Sequence, residues 1–311
     1  MLENLILSGV FLLNNNIVND FVLKNINNNS YFHNKNIIEF KQDDQNKKDY
    51  FSSTKINKDS LGMSVSLKSG IMFDYDTGEI IWSKNENEKR SIASLTKIMT
   101  VLVFLENDYD TSKYLKIEES DVDLEKDQAA ALGLRIGDEV RVEDLLITSL
   151  IGSKNDAVNA LVRSTGLSDE EYVNKMNEKA KFLGLNDTFF NNVNGLSSYN
   201  KSTAKDLSKL FYYAFSNKEI KKISTMTKYT FMSKSGNVYS VQTTDKLLSN
   251  KLFDVLAGKT GYLDDAQYCL SVLTKKDNRR ILGVFLGSET DSQRFYDAKV
   301  LNWWAYNNFK N

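Results

Sequence analysis

The 311-residue chain has no proline, one cysteine (Cys269) and one histidine (His33). A single thiol excludes an intrachain disulfide and a cysteine-rich zinc site. His33 sits in a polar N-terminal stretch and reads as an incidental surface residue. Ser-His-Asp hydrolases, Cys-His hydrolases and HExxH metalloproteases are therefore excluded. Proton transfer near neutral pH falls to Lys, Glu, Asp or Tyr, with pKa values moved by their surroundings. Without proline, turns must be made by Gly, Asn, Asp and Ser. Neither sign of charge dominates: 40 Lys and Arg face 41 Asp and Glu, which argues against a nucleic-acid polyanion as the main ligand.

Long apolar runs are also missing. Leu5–Leu13 (LILSGVFLL) is too short to span a bilayer, which takes about 20 residues. Its length suits the core of an export signal, although Glu3 precedes it and no A-x-A site follows. Residues 1–60 read as this apolar segment followed by an Asn/Lys-rich linker, with KQDDQNKKD at 41–49 unable to bury much surface. The folded part is expected over 61–311.

There the pattern changes. Ser64–Tyr75 alternates and reads as a strand, Asp76-Thr77-Gly78 as a turn, and Glu79–Trp82 as the returning strand. Helices are expected over 94–105, 141–150, 156–163, 168–182 (with an SDEE capping signal), 203–216 and 291–308. A hairpin is expected around Gly236-Asn237, and strands over 255–258, 266–274 and 280–286. Strands at both ends and helices between them give an α+β pattern: an antiparallel sheet built from the two ends and covered by helices. Cys269, in an alternating strand, reads as a buried structural thiol. Trp303 and Trp304 are expected to pack the closing helix, and Lys154 to be a solvated loop charge.

In the absence of histidine, a lysine can serve a serine nucleophile as base if it is neutral when it acts. Ser94-Leu95-Thr96-Lys97 places a lysine three residues after a serine at a helix start, on the same face, where backbone N–H groups can also meet an oxyanion. S-x-x-K recurs at Ser52–Lys55 and Ser198–Lys201, but only Ser94 opens a helix apolar enough to run through a core. Ser153-Lys154-Asn155, between two helices, offers a hydroxyl for proton relay and an amide to hold the lysine and a substrate amide. Lys259-Thr260-Gly261, on a strand, offers a cation, a hydroxyl and close backbone access. Tripeptides of these kinds recur at 198–200, 235–237, 68–70 and 234–236. Order, separation (94 to 153 to 259) and local structure single out one set, the S-x-x-K, S-x-N and K-T-G triplet.

Residues about 64–309 resemble the catalytic domain of the low-molecular-mass penicillin-binding proteins, the serine D-alanyl-D-alanine carboxypeptidases. The matching stretches are FDYDTGEIIW, RSIASLTKIMT, LGLRIGDEVRVEDLL, GSKNDAVNAL, NGLSSYNKSTAKDL and AGKTGYLDDAQYCLSVLTKKDNRRILGVFLG. The resemblance implies the β-lactamase/transpeptidase-like fold, an antiparallel five-stranded sheet flanked by helices with a helical subdomain. Three positions depart from the family's usual pattern: Ile92 stands where proline is frequent, Lys154 where glycine is common, and Val193-Asn194 where Pro-His is usual. The C-terminal β-domain and amphipathic anchor of many members have no expected counterpart before Asn311.

By that resemblance Ser94 attacks the carbonyl of the penultimate D-alanine, and Lys97 takes its proton, its pKa depressed by the cation Lys259. Ser153 passes a proton to the leaving D-alanine, and Asn155 positions Lys97 and the substrate amide. Lys259 and Thr260 receive the terminal carboxylate, Gly261 adds close backbone access for the substrate, and the backbone N–H groups of Ser94 and Tyr262 form the oxyanion hole. No metal or cofactor is implied. The expected partners are peptidoglycan stem peptides, β-lactams as covalent inhibitors, and a membrane through the N-terminal segment; nucleic acid is not expected. The expected location is extracytoplasmic, in a bacterial envelope. The alternatives are a D,D-endopeptidase of peptidoglycan crosslinks, a β-lactamase (disfavoured because no Glu occurs between Glu178 and Glu219) and a non-catalytic wall-binding scaffold.

Overall fold

A computed structural model describes residues 63–107, 109–122 and 130–309; the expectations for residues 1–60 lie outside them. In chain order the strands are β1 (Ser69–Asp74), β2 (Ile80–Lys84), β3 (Arg90–Ser91), β4 (Tyr114–Lys116), β5 (Glu139–Arg141), β6 (Lys201–Ser202), β7 (Lys228–Met232), β8 (Val238–Gln242), β9 (Asp254–Leu263), β10 (Gln267–Lys276) and β11 (Arg279–Ser288). The α-helices are α1 (Thr96–Glu106), α2 (Val142–Ile151), α3 (Asn155–Arg163), α4 (Asp169–Phe182), α5 (Ala204–Ala214), α6 (Lys218–Ser224) and α7 (Asp291–Asn308).

The main sheet is antiparallel, in the order β2-β1-β11-β10-β9, so both ends of the domain meet in its centre as the sequence pattern predicts. β1 pairs with β11 from Ser69↔Leu286 to Asp74↔Ile281. β1 and β11 lie between two apolar layers, and nearly all their residues are buried. On one side α7 covers the sheet through Phe295, Leu301 and Trp304, packed on Leu270, Val272 and Phe285. On the other side lies the helical layer, with α1 at its centre. Thr96 to Phe104 are all buried, so α1 is a core helix with no solvent face.

Most boundaries shift by a few residues, and each large shift has a cause. The first strand begins at Ser69 rather than Ser64, because Asp297 of α7 draws the N–H groups of Ser66 and Leu67 out of any ladder (3.1 Å each). β9 extends through Leu263 because its whole length pairs with β10, up to Leu263↔Gln267. The capping signal before α4 is realised: Ser168 Oγ accepts from Glu171 N (3.2 Å), and Glu171 Oε2 accepts from Ser168 N (2.8 Å). The two-residue pairing of β3 with β6, the β4–β5 ladder and α6 have no counterpart in the sequence reading, being too short to show a period. Cys269 is buried, and burial pushes its thiol up to about 11. Trp304 packs the closing helix, but Trp303 is rotated about 100° from it and stays 50% exposed, against the expectation for both.

Candidate active site

Ser94 lies in a one-turn 3-10 segment, Ala93–Leu95, that feeds directly into α1. Ala93 has φ +47°, a left-handed conformation that costs a non-glycine residue free energy and is held by its surroundings. Two glycines do the holding. Gly195, itself at φ +86°, lies so close that a Cβ there would be 2.3 Å from the Ala93 carbonyl oxygen. A Cβ on Gly261 of β9 would sit 3.2 Å from Ile92 O, Ser94 N and Leu95 N. The edge strand of the sheet and the 191–200 loop thus press on one turn, and a side chain at either glycine would push it out of place.

Lys97, one helical turn on, is fully buried. Its Nζ donates to Ser94 Oγ (2.9 Å), to Asn155 Oδ1 (2.8 Å) and to the carbonyl oxygen of Asn194. Asn155 opens α3, and its Nδ2 is buried with no hydrogen-bond partner among the described residues, a donor facing the site. The Asn194 loop is pinned from beneath. Thr100 Oγ1 donates to Val193 O (2.6 Å), and Asn200 Nδ2 donates to Thr96 Oγ1 (2.9 Å).

Ser153, in the break between α2 and α3, has φ +58°, and its Oγ accepts from Lys259 Nζ at 2.8 Å. Lys259 also donates to Thr260 O (2.7 Å). Burial, then the charges of Lys97 and Arg294, hold the Lys259 ammonium well below the usual lysine range, with Asp245 pulling the other way. Thr260 Oγ1 lies 2.5 Å from Thr244 Oγ1. Next to Thr244, Asp245 is buried, with Oδ1 accepting from Leu247 N (2.8 Å) and Oδ2 unpartnered; burial raises its carboxyl to about 6.

Each residue picked from the sequence therefore has a definite place. Ser94, Lys97 and Asn155 are bonded together; Ser153 and Lys259 are bonded together; Gly261 closes on the Ser94 turn. Tyr262 extends β9 with its ring exposed, stacked on Tyr268 (centroids 4.3 Å apart). Of the further S-x-x-K spacings in the described part, Ser198–Lys201 ends in β6 at the surface, and Ser202–Lys205 runs from β6 into the first turn of α5. Lys154 departs from expectation. Its Nζ donates to Ala131 O (2.9 Å), so it tethers the 131–134 segment instead of standing in solvent. Neighbouring Asp156 secures the same segment by accepting from the N–H groups of Leu132, Gly133 and Leu134. Sequence reasoning missed three participants: the Asn194 carbonyl, Asp245, and Arg294, whose Nη1 donates to Gly261 O (2.9 Å) and Cys269 O (3.3 Å). A backbone carbonyl has no residue signature, and Arg294 looks like any helical arginine until the fold sets it behind β9.

The fold with this cleft defines the class. The Streptomyces K15 DD-transpeptidase superposes with a TM-score of 0.75 at 26% identity, over 80% of this chain and 100% of that one. The profile of the D-alanyl-D-alanine carboxypeptidase family, peptidase S11, matches residues 54–290, and the chain belongs to that family. The carboxypeptidase DacF of Bacillus subtilis is 36% identical over 241 residues, covering 73% of this chain; the match spans 59% of DacF. A D-alanyl-D-alanine endopeptidase of Haemophilus influenzae is 33% identical, over 75% of this chain and 80% of its own length.

Proposed function

We propose that the chain is a serine D-Ala-D-Ala carboxypeptidase that trims D-alanine from peptidoglycan stem peptides. The observation that carries this reading is Lys97 Nζ, bonded at once to Ser94 Oγ and Asn155 Oδ1 in a buried site. A lysine so placed can take the serine proton without histidine.

In this reading the terminal carboxylate of the substrate pairs with Lys259 and Thr260, and Asn155 Nδ2 donates to the substrate amide. Ser94 Oγ attacks the carbonyl carbon of the penultimate D-alanine as its proton passes to Lys97. The tetrahedral oxyanion lies between the N–H groups of Ser94 and Tyr262. Its collapse breaks the C–N bond, while Ser153, linked to the Lys259 ammonium, hands a proton to the departing amine. Water then attacks the ester, releasing the shortened stem and restoring the Ser94 hydroxyl. Penicillins would acylate the same oxygen.

Endopeptidase action on crosslinks uses the same groups and is supported by the relatives of that name. No Glu occurs between Glu178 and Glu219, which argues against the fast deacylation of a β-lactamase. Residues 61–311 act as the catalytic domain in this reading, outside the cytoplasmic membrane, and residues 1–60 connect it to the envelope. Among the described residues no helix is long and apolar enough to cross a membrane.

The test is labelling with a fluorescent penicillin together with D-alanine release from a pentapeptide. Parent protein should label stably and release D-alanine, and Ser94→Ala should do neither. Labelling that survives Ser94→Ala overturns the assignment. Rapid loss of label points to a β-lactamase, and folded parent that never labels points to a scaffold.

A further inference from the structure

An open cavity of about 610 Å³, lined in part by the 191–200 loop, takes no part in the chemistry above. Its walls include Lys89, Asp187, Phe189, Asn191, Tyr199 and Lys201. Phe189 is 55% and Tyr199 70% exposed, so two aromatic rings share one depression. The floor is ordered. β3 pairs with β6 through Ser91↔Lys201, and Phe189 bridges to Lys201 through two backbone hydrogen bonds (2.8 and 3.0 Å). The buried amide of Asn200 closes the loop above it, its Oδ1 accepting from Asn191 N (2.7 Å) and Asn192 N (3.0 Å).

Three features narrow the ligand. Lys89 is paired with Asp187 at 2.8 Å, so the lining keeps one net positive charge, that of Lys201, beside neutral amides and rings. It combines flat aromatic faces with amide and ammonium groups, the mixture that holds a ligand with apolar ring faces and an equatorial rim of hydroxyls and amides. It is also within reach of the reaction. Ser91 is three residues from Ser94, so their Cα atoms are at most about 11 Å apart, and a ladder partner adds about 5 Å. The 191–200 loop, which carries both Gly195 against the Ser94 turn and Tyr199 at the cavity, is another element on that turn. The four stem residues ahead of the scissile bond span about 13 Å when extended.

We propose that this cavity is a glycan subsite: it binds an N-acetylated sugar ring of the strand that carries the stem peptide, with Tyr199 and Phe189 as stacking faces and Asn191 and Lys201 as polar contacts. The assignment rests on the carboxypeptidase reading for its choice of ligand, but not for its test. In one arm, chitooligosaccharide is titrated into full-length Ser94→Ala by calorimetry, where catalysis plays no part. Saturable binding that is lost in the Ser94→Ala, Tyr199→Ala double variant supports the subsite. No binding, or binding unchanged by the Tyr199 substitution, overturns it.

In the second arm, D-alanine release is compared on a free pentapeptide and on the disaccharide-pentapeptide. The sugar should lower KM about tenfold with kcat unchanged, the pattern of uniform binding, and Tyr199→Ala or Phe189→Ala should erase that advantage while leaving the free peptide unaffected. Equal KM values for the two substrates in the parent, or equal losses on both in the variants, overturn the proposal. If the parent hydrolyses neither peptide, the carboxypeptidase reading fails while the titration still decides the subsite.

Discussion

Lys259 Nζ lies 2.8 Å from Ser153 Oγ, although 106 residues separate them and neither belongs to the element that carries the nucleophile. In the proposed mechanism this contact joins Ser153, the proton donor to the leaving amine, to the buried cation. Ser153→Ala cuts that link and leaves Lys259 short of an acceptor. D-alanine release should fall by about 10²–10⁴-fold, the usual worth of a positioned proton donor. Stopped-flow acylation by a penicillin, compared with peptide turnover, checks this. Turnover within twofold of the parent would remove Ser153 from the proton path.

Gly195 makes the geometry of the Ser94 turn depend on a distant loop. Its φ of +86° and its approach to Ala93 O leave no room for a methyl group, and the obstructing atom is backbone that cannot swing aside. Gly195→Ala should cost about 1–3 kcal/mol in urea unfolding. It should also slow penicillin labelling by more than the loss of folded protein explains, because the methyl displaces the Ser94 turn itself.

Lys259 should make substrate binding pH-dependent. Burial and two neighbouring cations depress its pKa, so it gives up its proton at lower pH than an ordinary lysine. With Lys259 receiving the substrate carboxylate as proposed, KM should increase toward alkaline pH as that charge is lost, while remaining low on the acid side. Lys259→Arg keeps its charge throughout, so its KM should be higher than the parent's at neutral pH but flat with pH. A parallel rise in both proteins would place the titration elsewhere.

Asp245 should destabilise the fold at neutral pH. Its folded pKa of about 6 lies above the ordinary value of 3.8, so between these two the native state holds the proton more tightly than the unfolded chain does. Stability therefore falls as pH rises through that window, and is recovered below it. Asp245→Asn keeps the oxygen that caps Leu247 and removes the charge. It should be more stable than the parent by on the order of 1–3 kcal/mol near neutral pH, with the advantage fading toward pH 4. Thermal melts across that range are the check, and a constant difference would show that the carboxyl is not the titrating group.

The legible and illegible parts of the molecule divide by range. Strands β10 and β11 are legible as strand-length runs and α7 as a helical segment, which are local properties, whereas of β9 only 255–258 is legible. The capping pair Ser168 and Glu171 is readable because its members are three residues apart. Lys97 is placed beside Ser94 by helix geometry alone. The chain by itself therefore determined the α+β order, the three short motifs and the pairing within the first of them. Only the tertiary structure decided that Lys259 meets Ser153, that Asn194 offers its carbonyl to Lys97, that Arg294 braces Gly261, and that Trp303 faces outward while Trp304 faces in. Such contacts depend on how a five-stranded sheet stacks against a buried helix, and on backbone atoms that every residue shares. No spacing in the sequence encodes either.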